Sequence, residues 1–87
     1  EIDAARLLTY QAARAVEQER DIERLPAQAK LLASRVAVHA ATQAIQICGA
    51  QGMLETQPFG RYLRDAKAYE IAGGSSEILK NTIAKHL

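Results

Sequence analysis

The sequence predicts an all-α protein, most of an up-down four-helix bundle, on three observations. Seventeen of the 87 residues are alanine, aromatics are 5% and tryptophan is missing, a balance that suits closely packed helices and poorly suits stacked strands. Apolar residues recur at steps of three and four, the spacing that gathers them on one face of a helix. Glycine and proline fall mainly where that spacing is interrupted, and no strand of convincing length stands between them.

The first helix runs from Ile2, with Ala5, Leu8, Ala12, Ala15 and Val16 on its stripe and Asp3, Arg6, Arg14 and Glu17 off it. Its pattern fades in the charged stretch Glu19 to Arg24. Pro26, suited to be a first helical residue, restarts it. The second helix, about Pro26 to Cys48, carries one stripe through Ala29, Leu32, Ala33, Val36, Ala37, Ala40, Ala44 and Ile47. A second stripe runs through Leu31, Val38, Ala41 and Ile45. Two stripes require cover on more than one side, from further chain or another subunit. A loop follows through Gly49 and Gly52 to Pro58, then a short helix from Phe59 to about Ile71. Gly73-Gly74 breaks it, and a last helix spans Ser75 to Leu87, with Glu77 in its first turn where the helix dipole favours a negative charge.

Composition removes several function classes. Eleven basic against ten acidic residues leave a net charge of +1, too little to hold nucleic acid or an anionic membrane. One cysteine makes no intramolecular disulfide or multi-cysteine zinc site, and no run approaches the roughly 18 apolar residues of a membrane span. A cytoplasmic protein is expected, or a mitochondrial matrix protein in a eukaryote. The helical pattern is already running at Ile2, so residues 1–87 read as a piece of something longer.

The turn Gly73-Gly74-Ser75-Ser76-Glu77 reads in two ways. It is a helix stop followed by a serine cap, or a ligand-facing turn whose free amides and hydroxyls face outward. His39 has no partner histidine, cysteine or carboxylate three or four residues on, which argues against a metal and for a place on the polar strip or at an interface. Cys48 reads as a small buried residue, and Arg61, Arg64, Asp65 and Lys67 as a surface ion-pair cluster. Glu70 and Glu77 are the carboxylates nearest the Gly-Gly turn.

Three segments in order, Ala44 to Gly52, Arg61 to Lys67 and Glu70 to Ile78, resemble the C-terminal helical domain of acyl-CoA dehydrogenases. Ala5 to Tyr10 and Ala29 to Ser34 are similar to its two long helices. The resemblance implies an enzyme that uses FAD, with an N-terminal helical domain and a middle β-domain outside this chain. It implies oligomerisation, homomeric or mixed, through the helical bundle, with an acyl-CoA substrate and an electron-transfer partner. Gln46, Gly49 and Ala50 map to contacts with a neighbouring subunit's flavin cofactor, and Ser75 and Glu77 to contacts with the chain's own; Ala50 departs from the commoner glycine. In many members a carboxylate in this turn removes the acyl α-proton, and here Gly73 occupies its place. That glycine is similar to the isovaleryl-CoA and long-chain subgroup, whose base lies on an upstream helix. Glu70, one helical turn earlier, is expected to project elsewhere. Two other readings remain: a non-catalytic subunit of a mixed tetramer, and a free-standing helical interaction module.

Overall fold

The computed structural model describes all 87 residues. Its elements are α1 (Ile2–Glu17), α2 (Arg24–Cys48), a 3₁₀ helix (Gly49–Met53), α3 (Phe59–Ile71) and α4 (Ser76–Lys85). The chain is all-α, as its composition and periodicity require.

α1 buries Ala5, Ala12 and Ala15, all on its sequence stripe. Its end carries no glycine, yet the backbone closes in a double-bonded stop. Arg20 N–H donates to Ala15 O at 2.8 Å and Glu19 N–H to Val16 O at 3.1 Å, with Glu19 at φ +54°. This is the Schellman arrangement with glutamate in the left-handed position. α2 then begins at Arg24, two residues before the expected start. Pro26 is thus the third helical residue, still in the first turn where its missing N–H breaks no intrahelical bond.

Ala12, Ala15, Leu25 and Ala29 form the buried centre between α1 and α2, with Leu8 packed against it. α3 and α4 lie along α2, which contacts every other element. The 3₁₀ helix leads to the start of α3 at one end of α2, while the turn after α3 is bonded to Lys30 near the other. α4 continues in the same direction until His86 meets Glu23, the N-cap of α2, at 2.8 Å. Four helices therefore make three rods: α1, α2, and α3 with α4 in tandem.

The cover is thin. Eleven of 87 residues are buried, none of them a large side chain fully removed from solvent. The radius of gyration is 15.1 Å, against roughly 12 Å for a compact chain of this length. On α2, Ala29 and Val36 are buried and Leu31, Val38, Ala41 and Ile45 half-buried, but Ala37 and Ala40 are exposed and Ile47 is 83% exposed. Both stripes exist, and on the outer half of the first only Ala44 is partly covered within this chain.

Two sequence expectations need correction. The stretch after Cys48 is a 3₁₀ helix before it is a loop. Gly52 packs so close to the last turn of α2 that a Cβ there would sit 2.8 Å from Ile45 O, which pins this segment to the helix end. The last helix is shorter than expected, Ser76–Lys85, with Ser75 as its cap: the Ser75 hydroxyl accepts from Ile78 N–H at 3.3 Å.

Both ends of α1 can be tested. Glu19→Gly removes the Cβ that disfavours the left-handed region and is expected to raise stability by about 1 kcal/mol, read from urea unfolding followed by circular dichroism. Glu1 accepts from His39 Nδ1 at 2.9 Å; that hydrogen bond first, and the His39 charge second, hold its carboxyl below the ordinary value. A depressed carboxyl adds stability above its unfolded pKa and loses it as pH falls through its folded pKa. A titration followed by carboxyl-carbon NMR is expected to place Glu1 below the ordinary glutamate value, and His39→Ala to move it back up.

Candidate functional site

α3 ends at Ile71, and Ala72 turns into extended backbone at ψ 147°. Gly73 at φ +68° and Gly74 at φ +110° then carry the chain to the Ser75 cap. Both values lie where side-chain-bearing residues are strained, so the glycine pair is what permits the sharp change of direction. The helix stop with a serine cap is therefore present. The turn also faces outward in donor terms. From Gly73 to Glu77, no main-chain N–H has an acceptor within the protein; the first that does is Ile78.

Lys30 holds this turn from α2. Its ammonium donates to Ala72 O at 2.6 Å and to Gly74 O at 2.5 Å. No carboxylate lies within ion-pair distance of it. Sequence reasoning misses Lys30 as a site residue because its partners are main-chain carbonyls 42 and 44 residues away, and a carbonyl leaves no mark on the sequence.

Beside the turn a cleft of about 260 Å³ is lined by Arg35, Lys67, Glu70, Ser75, Glu77 and Lys80, among others. Glu70 projects away from the place of Gly73, as expected: nothing outside the neighbouring residues lies within 4 Å of where a Gly73 Cβ would stand, and Glu70 lines the cleft with Ser75 and Glu77 instead. Its carboxylate is bound by Lys67 at 3.0 Å and is only 17% exposed.

Gln46, Gly49 and Ala50 gather at the other end of α2, all exposed. Gln46 makes no side-chain hydrogen bond, while its carbonyl accepts from Gly49 N–H. Between Arg35 in the cleft and Gln46 lie about 16 Å of helix, so the two sets belong to separate surfaces. Cys48, expected to be buried, is exposed, because it lies on the last turn of α2, beyond the reach of α1. Of the Arg61, Arg64, Asp65 and Lys67 cluster, Lys67 alone is ion-paired, and with Glu70 rather than inside the cluster. Arg61 instead lies 5.6 Å from the Tyr62 ring centre. Arg61 and Arg64 border a shallow depression formed with Met53 to Pro58. His39 is exposed, on the polar side of α2, and no three His, Cys, Asp or Glu side chains are grouped as metal ligands.

A family model for the acyl-CoA dehydrogenase C-terminal domain matches residues 1–87. The chain belongs to that family. Rat mitochondrial short-chain specific acyl-CoA dehydrogenase is 43% identical over 86 residues, covering 99% of this chain and 21% of the relative. Rat mitochondrial short/branched chain specific acyl-CoA dehydrogenase is 42% identical over 87 residues, 100% of this chain and 20% of the relative. The solved structure of butyryl-CoA dehydrogenase from Megasphaera elsdenii superposes with a TM-score of 0.91 at 36% identity, over 98% of this chain and 22% of that one. The chain thus spans about a fifth of the length of the acyl-CoA dehydrogenases it matches.

These relatives are named for short and short/branched chains, not for the isovaleryl-CoA or long-chain subgroup that Gly73 suggested. A missing side chain at one turn position is a single-site signal, whereas the identity accumulates over the whole domain.

The exposure of Cys48 has a chemical consequence. Without denaturant, a maleimide reagent is expected to label it within about threefold of the rate in urea, because access rather than opening controls the reaction; a hundredfold slower rate in the folded chain would contradict this placement.

Proposed function

We propose that this chain is the C-terminal helical part of a longer FAD-dependent acyl-CoA dehydrogenase that introduces an α,β double bond into an acyl-CoA thioester. The N-terminal helical and middle β-domains lie outside residues 1–87. The observation that carries the reading is the turn itself: a run of amides from Gly73 to Glu77 without protein acceptors, a Ser75 hydroxyl and an exposed Glu77, in a chain of this family.

The residues fit such a cofactor. Glycines at 73 and 74 leave the main chain unshielded, so the free amides suit anionic or hydroxyl-bearing edges of a dinucleotide. Ser75 and Glu77 would hold FAD of the same subunit. Gln46, Gly49 and Ala50, separate and exposed at the far end of α2, would meet the cofactor of a neighbour. When bound, FAD supplies the acceptor for the hydride leaving the β-carbon. The uncovered stripe of α2, with Ala37, Ala40 and Ile47 in the open, supports an oligomer built through the bundle. An electron-transfer partner would reoxidise the cofactor.

Gly73 has no side chain to take the α-proton, which supports a base elsewhere, on an upstream helix outside this chain. Glu70 is not that base: it faces the cleft already bound by Lys67. In the intact protein, Glu70→Gln is expected to leave turnover within about tenfold of wild type, since loss of a true general base typically costs about 10²–10⁴. A thousandfold loss at normal FAD content, measured with an acyl-CoA and an artificial electron acceptor, would make Glu70 the base instead. The same glycine favours a second reading, a cofactor-holding but silent subunit of a mixed tetramer. Intact protein that carries FAD yet is inert toward acyl-CoA thioesters of every chain length would establish it.

A further inference from the structure

We propose that Lys30 is a positioning residue for the cofactor turn, acting on the direction of main-chain amides without touching a ligand itself. The inference rests on the cofactor reading above and adds to it a residue on a different helix. Lys30 donates to Ala72 O and Gly74 O, the carbonyls that flank Gly73 on either side. A peptide unit is planar and trans, so its C=O and the following N–H point in opposite directions. Turning Ala72 O toward Lys30 therefore turns Gly73 N–H away from it. Turning Gly74 O toward Lys30 does the same to Ser75 N–H. Neither amide has an acceptor within the protein, so the grip on two carbonyls aims two free donors outward together.

Nothing else in the turn provides this control. Gly73 and Gly74 have no Cβ to restrict their peptide planes, and a glycine pair visits both signs of φ. Arg35, Lys67 and Lys80 border the same cleft but donate to none of the turn's carbonyls. Lys30 itself stands on the ordered part of α2. Its own carbonyl accepts from the buried Ser34 hydroxyl at 2.8 Å, and Ala29 beside it is in the core. With no carboxylate to compete for its protons, the ammonium stays committed to the turn.

The test uses the intact protein stripped of flavin, as wild type, Lys30→Met, Lys30→Gln and Lys30→Arg. Two readouts are taken: FAD affinity from the quenching of flavin fluorescence, and hydrogen exchange of the Ile78 and Leu79 amides, which donate to Ser75 and report on the cap. Lys30→Met is expected to weaken FAD binding at least tenfold and to speed exchange at Ile78 and Leu79, with exchange in α1 and the 3₁₀ helix unchanged. Lys30→Arg, which still offers donors to both carbonyls, is expected to recover most of the affinity. Lys30→Gln, too short to reach them, is expected to behave as the methionine variant and replaces it if that variant unfolds. FAD affinity within twofold of wild type in both neutral variants overturns the proposal. Weakened affinity with unchanged exchange overturns it too, since that result belongs to charge alone. Wild-type protein with no affinity for FAD overturns the cofactor reading, and faster exchange in that case leaves Lys30 as an anchor of the turn without the role proposed.

Discussion

Every other segment of this domain leans on α2, and the contacts it offers are small. Ala27, Ala29, Ser34 and Val36 are its buried residues beyond Leu25, and α1 answers with Ala5, Ala12 and Ala15. Small side chains let helix backbones come close, but a surface of alanines resembles itself at neighbouring registers and selects no single one. Polar ties at the helix ends supply what the alanines leave unspecified. His39 binds Glu1, Glu23 binds His86, and Lys30 binds the turn between α3 and α4. These are the long-range side-chain hydrogen bonds of the chain, and each joins α2 or its cap to the end of another helix.

That division of labour explains where the unpaired main-chain groups lie. A polar tie to the main chain requires unpaired backbone groups, and these occur only where helices stop. The turn at Gly73 and the helix end at Gly49 are such stops, at opposite ends of the rod on which the rest is mounted. One rigid element thus fixes the spacing of two surfaces that share no residue. The exposed face between them, Ala37 and Ala40 running toward Ile47, is apolar without being bulky, a surface suited to another helix at close range.

Much of this is legible in the sequence, and what is not has physical reasons. The bounds Phe59 and Ile71 can be read because Pro58 and the Gly-Gly pair mark them with residues of restricted or unusual backbone. The stop of α1 cannot, because Glu19 adopts a left-handed conformation that its residue type does not advertise. Pro26 misplaces the start of α2 by two residues, since proline is accepted anywhere in a first turn, not only at its first position. The habits of its residue type assign Cys48 to the interior, whereas burial is decided by whether a partner helix reaches that far. For the site, the residue types around Gly73 point to the turn and its cap. Lys30 and the inward placement of Glu70 depend on which elements meet, a property of the fold that spacing along one helix does not encode.

The separation in sequence between Lys30 and its carbonyl partners also sets an order of events. α1 and α2 are joined by a short connection, so their pairing closes a small loop and is available early as the chain emerges from synthesis. The clamp on the turn must wait until 42 to 44 further residues have been made, and closing the longer loop carries the larger entropic cost. The turn at Gly73 is therefore assembled last, onto a helical hairpin already in place, and a chain halted before Gly73 would display the platform without the turn it supports.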